Sequence, residues 1–502
     1  MFNKIIFEDE ITLYWDKEWN LPDDVVYRVF LDGKRVSETL KTHFSFNNLQ
    51  AETVYEIQIE RLDNNEQSEI LFFDKLKTLT KKKRLDVTKA PYFAVGDGKT
   101  LNTEALQKAL DDCKENEVVY FPDGVYMSGA LDMHSDSELY LSKGAVLQGT
   151  ANIGDYTPKR WSRFEGVEQE CYSALINIGN LEHTLGYTTK NIVIRGGGTI
   201  SGGGYQLCWN TIQAERIRLQ NYLSTNQEYV KTCENENTLP GRARGRLVAV
   251  NNCQGVIFSN VTFQYGPAWN VHMIYSKDIV TYGCTIRSQG VWNGDGWNPD
   301  SSENCTIFNT TFATHDDAIA IKSGKNIEGE RINRPTKNIR IFDCRGRNGV
   351  AIGSELSGGI SYIYIWDCRF VDGVAGCRIK ATRKRGGYVR NLKVRNCDLV
   401  DIKATTMYGC NDDGEAAKAL TSIENLSYQN IRLTGLVTIP ETEEKQYWSP
   451  IVLCGLDEED YHVKNVSLKK VGIYNRRDGK PQMFEIKNVT NVSMEDLYFI
   501  EP

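Results

Sequence analysis

The chain runs to 502 residues, 40% of them hydrophobic and 25% charged, with a formal net charge of −7. Those values exclude disordered and membrane-spanning classes, and the acidic balance argues against a nucleic-acid partner, which needs a strongly basic face. The length exceeds what one compact core usually supports, so a small domain beside a long solenoid is the natural division.

The opening stretch, MFNKIIFEDEITLYW, places Glu8, Asp9 and Glu10 where a secretion signal needs an uninterrupted apolar run. Thirteen cysteines lie between Cys113 and Cys454 without metal-type CxxC spacing. An odd number so spaced points to reduced, structural thiols in a cytoplasmic protein, with secretion after removal of a leader as the alternative. Residues 3–79 alternate apolar and polar positions in short runs (ITLYW, VVYRVFL, VYEIQIERL), the pattern of an antiparallel sandwich. With Trp15, Tyr27, Leu49 and Tyr55 at their places, residues 1–80 resemble a fibronectin type III domain. The basic run from Lys81 to Arg84 opens an expected linker over 81–90.

From Tyr92 the segment YFAVGDGKTLNTEALQKALDDC predicts a strand, a glycine turn and an amphipathic helix capped by Thr103. Its GDGKT lacks the spacing of a phosphate loop. From about residue 191 one motif recurs: QGVIFSNVTF, KDIVTYGCTI, ENCTIFNTTF, KNIRIFDCRG, SYIYIWDCRF, RNLKVRNCDL. Each reads as strand, small turn, strand. Taking Asn260, Cys284, Asn309, Cys344, Cys368 and Cys397 as equivalent turn positions gives steps of about 24 to 35 residues. This is the period of a solenoid, and it predicts a mainly β protein in which a right-handed parallel β-helix occupies 91–502. The polar, partly helical stretch from Tyr205 to Leu247 breaks the period as an insertion on one face.

The stretch VWNGDGWNPDSSENCTIFNTTFATHDDAIAIKSG, residues 291–324, carries the chemistry. Asp295 and Asp316 are about one coil apart, and Arg347, Arg378 and Lys380 follow on later coils. In a regular strand Asn293 and Asp295 share a face, as do Arg378 and Lys380; Asp316 and Asp317 then point oppositely unless a bulge or strand end intervenes. Clustered carboxylates raise one another's proton affinity and keep an acid available near neutral pH.

Asn293-Gly294-Asp295, Asp316-Asp317, Gly346-Arg347-Asn348 and Arg378-Ile379-Lys380 resemble, in order and spacing, the signature of glycoside hydrolase family 28, the polygalacturonases. The resemblance runs from about residue 92 to the C-terminus. It implies inverting hydrolysis of α-galacturonosyl linkages in pectic poly- or oligosaccharides, with Asp316 protonating the leaving oxygen and Asp295 and Asp317 activating water. The coil spacing of about 4.8 Å by itself sits nearer the carboxylate separation of retaining enzymes. Arg378 and Lys380 are expected to pair with a substrate carboxylate. Arg347 stands where the family carries histidine, a departure that brings rhamnogalacturonan hydrolases into view. Gly353-Ser354-Glu355-Leu356-Ser357-Gly358-Gly359 resembles exo-acting bacterial members, and the 205–247 insertion is placed to close one end of a cleft.

Trp292 and Trp297 flank Asp295 and are candidates for stacking on sugar rings or for packing. Tyr408 and Lys322 are further substrate-binding candidates; His315 is a candidate for tuning the aspartate pair, and His272 reads as a structural histidine. No metal or organic cofactor is implied, and the oligomeric state is left open. A calcium-dependent pectate-type lyase and a silent carbohydrate-binding protein are the rival readings.

Overall fold

The computed structural model describes residues 2–62, 68–439 and 442–501. The chain divides into two units, Met1–Arg84 and Leu85–Pro502. In the first, a three-stranded antiparallel sheet (Phe2–Ile6, Glu10–Trp15, His43–Asn47) accompanies a four-stranded one (Tyr27–Leu31, Lys34–Thr39, Val54–Leu62, Ser68–Lys77). Their alternating inward residues, Ile11, Leu13, Trp15, Tyr27, Val29, Ile57 and Ile59, make one small core. Residues 81–90, expected as a linker, carry a strand, Lys83–Asp86.

The second unit is a parallel β-helix. A 22-stranded and an 11-stranded sheet run its length, and strands of successive coils pair in parallel. The helix Thr103–Asp112 precedes the first coils; its cap is Asn102, while the Thr103 hydroxyl accepts a bond from the Gly129 N–H at 2.8 Å.

Tight turns between strands need a left-handed residue in each coil, which asparagine, aspartate and glycine tolerate best. They fall at Asn260, Gly283, Asn309, Asp343, Asp367 and Asn396, with φ between 48° and 64°. The cysteines come one position later: Cys284, Cys344, Cys368 and Cys397 point inward and are buried. The expected equivalence of Asn260 and Asn309 with the cysteines is therefore off by one, because both residue types mark the turn but only one bends it.

Matching positions stack. Tyr282, Phe308, Phe342 and Trp366 lie 5.1, 4.8 and 4.3 Å apart between centroids, planes within 6°. Asn491 donates to Asn465 at 2.7 Å and Asn465 to Asn425 at 2.9 Å, a ladder in which each coil satisfies the next. No disulfide joins any of the thirteen cysteines.

Candidate active site

The 11-stranded sheet sets the site. Its strands Val271–Ile274, Trp297–Asp300, Ile319–Ile321, Val350–Gly353, Cys377–Lys380, Ile402–Thr405 and Ile451–Cys454 stack in register. Inward positions are apolar: Val271, Trp297, Ile319, Val350, Cys377 and Ile402 form one column of the core. Chemistry sits at the two ends of these strands, where the backbone leaves the ladder.

Before the strands come the acids. Trp297 pairs with Ile319, so Asp295 stands level with Asp317, two residues before each, and the Gly296 N–H bonds the Asp317 carbonyl at 3.0 Å. The spacing that pairs Asp295 with Asp316 misses this by one residue. Asn293, with φ 51°, and the Asp316-Asp317 pair lie outside regular strand, so the alternation rule does not govern them. This strand end lets Asp316 and Asp317 both line the cleft. A Cβ at Gly296 would meet the Ala318 carbonyl at 2.4 Å, which is why glycine follows Asp295.

After the strands come the cations. Lys322 pairs with Asp300 across one coil, and Gly353 pairs with Lys380 in the same outward column. The Lys322 ammonium reaches Asp295 at 3.4 Å and Glu355 at 3.1 Å, and stands 4.3 Å over the Trp269 ring. Lys380 donates to Asp317 at 2.7 Å and lies 5.6 Å from the Tyr408 ring centre. Together with Trp292, Asn293, His315, Glu165, Glu234 and Trp448 these groups line a cleft of about 410 Å³.

Burial pushes the Asp295 carboxyl well above its ordinary range; Lys322 pulls it back, and Asp316 and Asp317 push it up further. Burial raises Asp317 as well, against the pull of Lys380. For Lys322, burial works against the charge, but Glu355 and Asp295 outweigh it and raise its pKa. Lys380 behaves likewise, with Asp317 supplying the largest opposing charge.

Three expected contacts fall elsewhere. Trp297 is fully buried, its indole N–H on the Thr281 hydroxyl at 3.0 Å, because its inward parity places it in the core; it offers no sugar platform. Arg347 does not line the cleft: its guanidinium donates to Glu443 at 3.0 and 3.2 Å. Arg378 faces outward on the same strand as Lys380, but its guanidinium is taken by the buried Asp401 at 2.6 to 3.2 Å, and it lines the neighbouring pocket instead. His272 is buried between Arg246 and Asp300.

The sequence reading missed Arg244, which no local motif marks. It donates to the Asn293 side chain at 2.6 Å and the Trp292 carbonyl at 2.8 Å, and lies 4.4 Å from the Trp292 ring centre. It ends the 205–247 insertion, whose helix Gly204–Arg218 brings Trp209 to 6.3 Å from Trp292, stacked. Glu234 of the same insertion reaches the cleft wall. Among the described residues no group of three His, Cys, Asp or Glu is arranged to hold a metal ion.

Converging carboxylates and buried ammonium groups on a solenoid face define a β-helix glycoside hydrolase. The chain belongs to glycosyl hydrolases family 28, whose profile matches residues 164–495. It is 29% identical over 380 residues to a "Probable polygalacturonase" of Vitis vinifera, covering 69% of this chain and 70% of that one. It is also 29% identical over 329 residues to an "Exo-poly-alpha-D-galacturonosidase" of Dickeya chrysanthemi, covering 62% of this chain and 54% of the relative. A family 28 exopolygalacturonase structure from Yersinia enterocolitica shares the fold at a TM-score of 0.78 and 20% identity, over 99% of this chain and 95% of that one. An exopolygalacturonase from Thermotoga maritima does so at 0.65 and 21%, over 83% and 91%.

Proposed function

We propose that the protein is an exo-acting polygalacturonase that releases galacturonate from the ends of pectic oligo- or polysaccharides with inversion at the anomeric carbon. The observation that carries this reading is the level placement of Asp295 and Asp317 beside Asp316 in one cleft. Asp316, half-buried, is the acid that protonates the leaving oxygen, and its carboxylate accepts the Asp317 N–H at 2.9 Å. Asp295 is the base that takes the proton of the attacking water: a carboxylate with raised proton affinity is a stronger base than one at the ordinary value. Asp317, held by Lys380, shares in positioning that water.

Exo-action is supported by the insertion that brings Glu234 to the cleft and Trp209 against Trp292, and by the relatives' printed names. A second reading, a rhamnogalacturonan hydrolase or galacturonohydrolase, is favoured by Gly346-Arg347-Asn348, which brings no imidazole to the cleft. We read the N-terminal sandwich as fibronectin type III from its three-plus-four strand arrangement. Thirteen cysteines without a disulfide support a reducing, cytoplasmic setting.

The test is mass spectrometry and proton NMR of products from oligogalacturonides and rhamnogalacturonan oligosaccharides. Saturated galacturonate bearing one added water, released first as the β-anomer, is expected from the wild type; Asp316→Asn should lose at least about a hundredfold in turnover. Unsaturated products would replace the hydrolase by a lyase. Release only from rhamnogalacturonan would select the second reading, and full turnover by Asp316→Asn would overturn the acid assignment.

A further inference from the structure

Away from the cleft, a cavity of about 240 Å³ opens on the 22-stranded sheet, where Arg369, Asp398, Arg432, Tyr447, Tyr474 and Arg477 line it. Among the described residues none lines both this cavity and the cleft. The hairpin of Leu436–Thr438 and Lys445–Tyr447 is a wall between them: Leu436 and Tyr447 line the cavity, Ile439 and Trp448 the cleft.

The register explains the charge. Arg345, Arg369, Asp398 and Arg432 pair in turn on four successive coils, so their side chains project from one face at steps of about 4.8 Å. Like charges at that spacing repel unless a carboxylate intervenes. Asp398 does so for two of them, accepting from Arg369 at 2.7 Å and from the Arg432 guanidinium. Arg345, exposed, meets only the Thr311 hydroxyl, at 3.4 Å, among the described residues. Arg477, also exposed, has no side-chain hydrogen bond or ion pair among the described residues, while its backbone N–H donates to the Tyr447 hydroxyl at 3.1 Å. Three guanidinium groups thus line the cavity, and Asp398 is the one carboxylate among its described lining residues. Positive charge is left over.

The remaining walls indicate what would neutralise it. A guanidinium fork meets a carboxylate through two parallel hydrogen bonds. Tyr447 and Tyr474, both half-buried, add aromatic edges, and the Arg476 guanidinium, held by Asp478 at 2.9 Å, lies 4.7 Å from the Tyr447 ring centre. Arginines for a carboxylate and tyrosines for an apolar ring face together suit an acidic sugar. The space is smaller than pockets that enclose a drug-sized ligand, roughly 300 Å³ and more, so it grips one unit of a chain rather than several.

We propose that this cavity is a non-catalytic docking site for acidic polysaccharide, in which Arg369, Arg432 and Arg477 hold a uronate carboxylate and Tyr447 and Tyr474 flank its ring. A chain held here raises the concentration of substrate at the cleft across the hairpin without touching the aspartates. Naming the polysaccharide as galacturonan rests on the polygalacturonase reading; the anion site does not.

Affinity electrophoresis through gels containing polygalacturonate, on Asp316→Asn protein to prevent digestion, compares the double variant Arg369→Ala, Arg477→Ala with its parent. Polymer affinity should fall about fivefold, as two exposed ion pairs predict. With Asp316 intact, the same double variant should keep its melting temperature and its kcat/KM on trigalacturonate within about twofold, because Arg432 still neutralises Asp398 and the cleft is untouched. Arg477→Ala alone, at an exposed position without a partner, should give part of the loss. Unchanged retardation, or an equal fall in kcat/KM on trigalacturonate, overturns the docking site. Inorganic phosphate displacing the polymer as well as free galacturonate does would overturn the saccharide assignment. A selective loss of retardation in a protein whose wild type cleaves no galacturonan would keep the site and overturn the polygalacturonase reading.

Discussion

At Asp295 a carboxylate sits almost wholly out of water with Lys322 at 3.4 Å as its nearest cation, while Asp316 and Asp317 repel its charge. Its raised pKa means the folded state holds a proton that the unfolded chain has already released. The contribution of Asp295 to stability is therefore lost as pH rises from about 4, the unfolded aspartate value, through the raised folded one. Asp295→Asn should melt higher than wild type at pH 7, with the advantage shrinking to nothing near pH 4 in calorimetric scans, and should lose turnover throughout. The same pKa sets catalysis: with Asp295 as base, the acidic limb of kcat/KM should lie above the ordinary carboxylate range. Three aspartates and Lys380 were readable from sequence because they stand in short local motifs. Glu165 in the cleft wall and Arg244, buried behind Asn293 and Trp292, were not, since only folding brings them to the site.

Strand parity decides which aromatic residue faces the cleft. Trp297 aligns with Ile319 and Val350 inside the solenoid, whereas Trp292 lies in the loop before the strand, against Arg244 and Trp209. Trp297→Ala should cost about 3–5 kcal/mol in denaturant unfolding; Trp292→Ala should chiefly raise KM for oligogalacturonides. Sequence proximity to Asp295 made the two look alike, because alternation can be applied only once the strand's first residue is known. Arg378 shows a further limit of that kind. Its outward direction followed from the pattern, but its partner Asp401 comes from the next coil, and no spacing rule tells a paired arginine from a free one.

Across the whole molecule the repeat was legible because turn residues and inward cysteines recur coil after coil, and the insertion was legible as their interruption. What escaped was the buried charge network that ties distant segments together. Arg163, from outside the coil, meets Asp300 at 2.7 Å, and Asp300 meets His272 at 3.2 Å. Burial holds His272 down at about 4, while Arg163 and the His272 hydrogen bond overcome burial to hold Asp300 at about 2. The unfolded chain protonates its histidine first, so the contribution of this pair, opposite in sign to that of Asp295, should fall as pH drops from about 6.5 to about 4, and fall again towards 2 as Asp300 is protonated. Urea titrations of the wild type and His272→Gln across that range should differ by the upper limb, the wild type losing stability relative to the variant as pH drops from about 6.5 to about 4.

The level pairing of Asp295 with Asp317 also makes the solenoid a ruler. Its markings are coils, and the chemistry reads a difference of one. Splicing a full extra coil between Ser302 and Thr311 would leave every hydrogen-bond ladder intact, yet move the two carboxylates apart by about 4.8 Å. The same graft placed before Glu138, ahead of every residue that lines the cleft, would shift the whole cleft along the axis as one block. Fold and reaction thus depend on different properties of one repeat: the fold on its shape, and the reaction on its count.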